Sequence, residues 1–106
     1  MDENLQWLMA WYLRQCDGEW EHSYGVKLET LDNPGWRLRI ALRETPLHGR
    51  PFTRIEHGEI AAHLEEWQEI GSWWVVEVNG DMFEANCGAL DLHSVIGLFR
   101  QWVEMP

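Results

Sequence analysis

Two stretches of apolar alternation, each folded about a turn signal, constrain this chain more than any other feature. In residues 24–31, Val26, Leu28 and Thr30 alternate with Lys27 and Glu29; in residues 36–43, Trp36, Leu38, Ile40 and Leu42 alternate with Arg37, Arg39 and Arg43. A period of two puts one set on each face of a strand. Between them, Asp32-Asn33-Pro34-Gly35 supplies turn residues. The inward candidates are all even-numbered, so directly paired residues sum to an even number. That requires an odd-length loop such as Asn33-Pro34-Gly35, with Gly35 in a bulge position. This register sets Leu28 against Ile40, Val26 against Leu42 and Glu29 against Arg39. Residues 72–79 and 81–87 read as a second hairpin around Asn79-Gly80, with Trp74, Val76 and Val78 sharing a face with Phe83 and Ala85.

Helical periodicity brackets the hairpins. Residues 4–16 predict a helix with Asn4 as N-cap and Leu5, Leu8, Met9, Tyr12, Leu13 and Cys16 as its apolar stripe. Trp7 and Trp11 fall on the flank of that stripe, where they widen the buried face or form a second contact surface. Asp17-Gly18 ends the helix. Residues 91–104 predict another, with Asp91 as N-cap and Leu92, Val95, Ile96, Phe99, Trp102 and Val103 on one side. Residues 44–58 are irregular, with Phe52 and Ile55 marking a short edge strand. In residues 59–69, Ile60, Ala61, Leu64 and Trp67 have the spacing of a short helix. The order predicts an α+β fold: an antiparallel sheet built from two hairpins, with N-terminal and C-terminal helices packed on one face. Consecutive hairpins argue against a parallel sheet. Residues 1–106 are expected to form a single domain.

Charge narrows the partners. Eighteen acids against 8 bases give a formal net charge of -10. Such a surface repels phosphate backbones and anionic bilayers, so neither nucleic acid nor membrane is expected as a partner. A basic protein is favoured, because opposite charge speeds encounter. Asp2 and Glu3 stand where a secretory leader would be basic, and no apolar run approaches the ~20 residues of a membrane span, so a cytoplasmic location is expected. There Cys16 and Cys87 are reduced thiols. Eight tryptophans exceed what a core of this size needs, which places some at a surface or in a groove.

Catalytic chemistry finds little support. Cys16, Asp17, Glu19, Glu21 and His22 cluster, but neither CxxC nor HxxxH occurs, and His57 and His63 are poorly spaced for one ion. No metal, cofactor or catalytic residue is assigned. Cys87 precedes Gly88 at a strand end, yet the loop to Asp91 offers no base to lower a thiol pKa. A small thiol enzyme using Cys87, sulfurtransferase-like, is therefore an alternative reading; a small-ligand groove lined by tryptophans is another. The interaction reading uses Asp17, Glu19 and Glu21 as a negative rim and Trp20, His22 and Tyr24 as anchors, since aromatic anchors ringed by charge build tight interfaces. If Trp20 begins the first strand, Trp20, His22 and Tyr24 share one face.

The run from Leu5 to Trp36 resembles the immunity protein 53 family of bacterial polymorphic toxin systems. The similarity rests on Trp11-Tyr12-Leu13, on CDGEWEH from Cys16 to His22, on YGVK from Tyr24 to Lys27 and on DNPGW from Asp32 to Trp36. It resumes around Trp74, Phe83-Glu84 and the last helix near Trp102. Residues 55–70 depart from the family pattern in length, and no role is assigned to them. The resemblance implies a cytoplasmic protein, not an enzyme, that binds a cognate toxin domain and neutralises it by non-covalent occlusion. It names neither the toxin nor the oligomeric state.

Overall fold

The computed structural model describes residues 2–32, 34–58 and 71–106. Helix α1 spans Glu3–Gln15, and the one-turn helix α2 spans Trp20–Ser23. Strands β1 (Val26–Thr30), β2 (Gly35–Ala41), β3 (Ile55–His57), β4 (Trp74–Asn79) and β5 (Met82–Gly88) follow, and helix α3 covers Leu92–Glu104. The five strands form one antiparallel sheet in the order β1-β2-β5-β4-β3. The fold is thus α+β, with the two hairpins joined through β2 and β5. Ile55 does open a short edge strand. The short helix expected over residues 59–69 lies outside the described residues.

The first hairpin keeps the expected faces but not the expected register. Val26 pairs with Ile40, Leu28 with Leu38 and Glu29 with Arg37, so the ladder is shifted by two from the Leu28–Ile40 alignment. The Leu31 N–H donates to Gly35 O at 3.0 Å, so Gly35 belongs to the ladder and not, as expected, to the turn. A two-residue shift leaves every side chain on its face, so alternation alone cannot choose between the two registers. Glu29 still meets Arg39 diagonally, at 2.7 Å, and Arg37 at 3.5 Å. In the second hairpin Asn79 pairs with Met82, so the turn is Gly80-Asp81. Only Gly80 has positive φ there, +62°, as a glycine-first hairpin turn requires.

Both long helices lie over the face that carries Leu38, Ile40, Val76, Phe83, Ala85 and Cys87, all buried. Aromatic rings join the layers. Trp11 meets Phe99 edge-on at 5.1 Å, and Phe99 meets Phe83 at 4.8 Å. The opposite face is polar, with Arg37 Nε donating to Asn86 Oδ1 at 3.0 Å.

Two caps differ from expectation. Asp2, not Asn4, caps α1: its Oδ1 accepts the Asn4 N–H at 3.0 Å. Asn4 instead donates to the His93 carbonyl at 3.2 Å and so ties α1 to the start of α3. Asp91 precedes α3 as expected, and its carbonyl accepts the Val95 N–H at 3.2 Å, but its side chain makes no capping bond to the first turn. Its buried carboxylate accepts the Trp73 N–H at 3.1 Å, fastening the entry of β4 to the entry of α3.

Helix α1 is apolar on two sides, and the structure selects the side the sequence reading placed on the flank. Trp7, Leu8 and Trp11 face the core, whereas Leu5, Met9, Tyr12 and Leu13 stay exposed. The magnitudes explain the choice. Burying roughly 200 Å² of an indole at about 25 cal/mol/Å² gives about 5 kcal/mol of gross transfer free energy, against about 2–3 kcal/mol for a leucine. The described tryptophans serve the core and its margin: Trp11, Trp20, Trp73 and Trp102 are buried, and Trp7, Trp36 and Trp74 are half-buried.

Candidate functional site

The orientation of α1 leaves an open groove between that helix and β1. Leu5, Met9 and Tyr12 form one wall, Val26 and Leu28 the other, and Leu8, Leu38 and Ile96 the floor; the volume is about 440 Å³. Met9 is 54% exposed and Leu28 is 47% exposed. Leu92 lies toward the end where α1 and α3 begin, and Glu21 and Tyr24 toward the end where α1 finishes. Leu13, 69% exposed, extends the apolar surface beyond the groove on α1.

Glu21 belongs to the acidic segment, whose backbone is tightly bonded. Asp17 Oδ1 accepts the N–H groups of Glu19 and Trp20, each at 2.9 Å. The Glu21 carboxylate reaches back to accept the N–H of Asp17 at 3.0 Å and of Gly18 at 2.9 Å. This reciprocal clasp satisfies backbone donors at the start of a helical turn, as a capping box does. It also holds both acids ionised. The Trp20 and Glu19 amides lower the Asp17 pKa below its ordinary value. For Glu21, its own amide and those of Asp17 and Gly18 outweigh the opposing loss of solvent. Glu19 is exposed, and its side chain makes no bond among the described residues.

The structure divides the six candidate contact residues. Asp17, Glu19 and His22 are exposed, and Glu21 and Tyr24 are half-buried and line the groove. Trp20 is 1% exposed and offers no ring surface to a partner, which corrects its expected role as an anchor. Its Nε1 donates to the Arg43 carbonyl at 2.9 Å, and its ring packs edge-on against Trp11 at 6.3 Å. Trp20 therefore pins the acidic segment to the core. The helical turn also undoes the expected strand face. Residues four apart share a side of a helix, so Tyr24 stays beside Trp20, with centroids 6.4 Å apart, while His22 turns outward.

The sequence reading missed the groove's walls because it assigned Leu5, Met9, Tyr12 and Leu28 to the interior. The available signal was the apolar character of α1 on both sides, more than one helix can bury on a single sheet.

The alternative chemistries meet obstacles in the same structure. Cys87 is fully buried, paired across the ladder with Trp36 and Trp74. Burial first, and then the nearby Asp91 charge, push its thiol up to about 11. At neutral pH it is neither ionised nor reachable, which removes the Cys87 nucleophile. Among the described residues, no tryptophan lines the groove, and a smaller cleft of about 220 Å³ beside Pro34 and Leu90 has Trp73 alone of the described tryptophans in its wall. Among the described residues, no group of three or more His, Cys, Asp or Glu side chains is placed to hold a metal ion. Among them, too, no helix is long and apolar enough to cross a membrane.

Comparison with known families matches residues 5–104 to the model described as immunity protein 53. No curated protein and no solved structure gives a match.

Proposed function

The chain belongs to the immunity protein 53 family, and on that premise we propose that it binds a cognate toxin domain non-covalently and occludes it. The reading rests above all on the α1–β1 groove, a contiguous apolar surface left uncovered beside a fixed acidic wall. Scattered exposed leucines need no explanation, but a lined groove facing water marks a contact site. Met9, Tyr12, Leu28 and Tyr24 supply the apolar contacts. Asp17, Glu19 and Glu21 supply the negative rim, with His22 beside them.

The partner is a basic domain. A net charge of -10 would steer it, and a nuclease surface built to hold phosphate would have the complementary sign. The 106 residues would act as one domain in the cytoplasm of the toxin's producer, as a stoichiometric antidote without cofactor or catalytic step.

Purification from the native host at low salt, followed by mass spectrometry, tests this reading. We expect a basic toxin domain in equimolar amount, with an association rate that falls as salt screens the rim. Glu19→Lys, which touches no internal bond, should slow association and leave the fold unchanged. Retention of no toxin from cells shown to make it would overturn the proposal. A salt-independent rate would remove the steering role.

A further inference from the structure

Strand β1 is an edge of the sheet, and among the described residues no strand pairs with its outer side. The ladder determines which backbone groups are free. The Ala41 N–H donates to Gly25 O at 3.0 Å, as Leu31 N–H does to Gly35 O at 3.0 Å. Both pairs belong to the register that sets Val26 opposite Ile40. Hydrogen-bonded and non-bonded pairs alternate along an antiparallel ladder. Gly25, Lys27, Glu29 and Leu31 therefore turn their N–H and C=O groups toward β2, and Val26, Leu28 and Thr30 turn theirs outward. The residues with free backbone groups are also those whose side chains lie on the helix-covered face, where Val26 and Leu28 wall the groove.

This coincidence specifies an occupant. A strand laid antiparallel along β1 would exchange bonds with Val26, Leu28 and Thr30. The residues directly opposite them would share their face, and their side chains would enter the groove against Met9 and Tyr12. The partner's intervening side chains would lie on the open face, beside Lys27 and Glu29. Such addition to a free edge draws affinity from the main chain and specificity from alternate pockets.

We propose that an extended segment of the toxin domain adds to β1 as a further antiparallel strand; this rests on the toxin-binding reading above. The segment is apolar at alternate positions. Running antiparallel to β1, it leaves the groove at the Val26 end, where Glu21 lines it and is bonded to the Asp17-Gly18 backbone. A basic residue therefore follows the apolar run on its C-terminal side. Charge argues against a second copy of this chain, because edge-to-edge pairing would join two molecules of net charge -10.

The test combines residue-resolved amide exchange with one backbone substitution. In the toxin complex, the amides of Val26, Leu28 and Thr30 should exchange about 100-fold more slowly than in the free chain. Thr30→Pro deletes one outward donor, and proline is tolerated on an edge where its nitrogen faces solvent. It should weaken toxin binding by about tenfold, while Thr30→Val, which keeps the donor, should stay within about twofold. If Met9→Glu abolishes binding but the three amides exchange unchanged, the groove holds the toxin without strand addition, and only this inference fails. If no toxin binds at all, the functional reading fails with it. Slowing of the same amides in the free chain as its concentration rises would assign the edge to self-association and overturn the proposal.

Discussion

Trp20 separates a structural role from a contact role most sharply. It is 1% exposed, packs on Trp11 and donates its indole N–H to the Arg43 carbonyl at 2.9 Å. Trp20→Phe keeps an aromatic ring but deletes that donor and part of the buried area. Losing that part-buried bond costs about 0.5–1.5 kcal/mol and the smaller ring gives up further buried area, so a loss near 2 kcal/mol is expected; Trp20→Ala should cost about 3–5 kcal/mol. A domain of this size is stable by only about 5–15 kcal/mol, so either change is large. Urea denaturation should show the midpoint for Trp20→Phe falling by about 1–2 M with an unchanged slope. Under conditions where the variant remains folded, its toxin affinity should match the parent within about twofold. An unchanged midpoint together with collapsed affinity would refute the reasoning and return Trp20 to the interface.

Further outcomes follow from the acidic segment, the buried thiol and the β4–α3 fastening. The folded pKa values of Asp17 and Glu21 are lowered, so their contribution to stability is complete above their ordinary values of 3.8 and 4.5 and is lost as pH falls below those values and through the lowered folded ones. Amide exchange at Gly18 and Trp20, corrected for its intrinsic pH dependence, should lose protection only as pH falls below the ordinary carboxylate range, and protection retained once both acids are protonated would refute the clasp. In the native protein at pH 7, thiol reagents should label half-exposed Cys16 and leave Cys87 intact until denaturant is added, read by mass spectrometry. Asp91→Ala removes the acceptor of the buried Trp73 N–H and should lower stability by about 1–3 kcal/mol in urea melts, whereas a neutral result would deny that bond a structural role.

The hairpins, the order of elements and the C-terminal helix were open to sequence reasoning because local chemistry decides them. Alternation fixes the faces, Gly80 fixes a turn, and Val95, Ile96, Phe99 and Trp102 repeat on one side of α3. What escaped depended on competition between distant parts. Alternation is blind to a two-residue shift, so the β1–β2 register needed the actual loop. The facing of α1 needed Phe99 and Trp20, with which Trp11 makes ring contacts. Asp91 read as a cap from sequence, but Trp73 offered a buried donor that local pattern cannot reveal. At the site, the acidic cluster was identified from sequence, whereas the groove beside it became visible only once α1 had turned its indoles inward.

Calorimetric titration of the toxin domain into the parent chain and into Met9→Glu tests the central claim most directly. Met9 is 54% exposed in the groove wall, so the substitution should leave the fold intact while placing a charge against an apolar partner. The account predicts one-to-one binding by the parent and at least about 30-fold weaker binding by the variant, the scale of an interface hot spot. Equal affinity of the two chains would contradict it and place the toxin elsewhere on the surface.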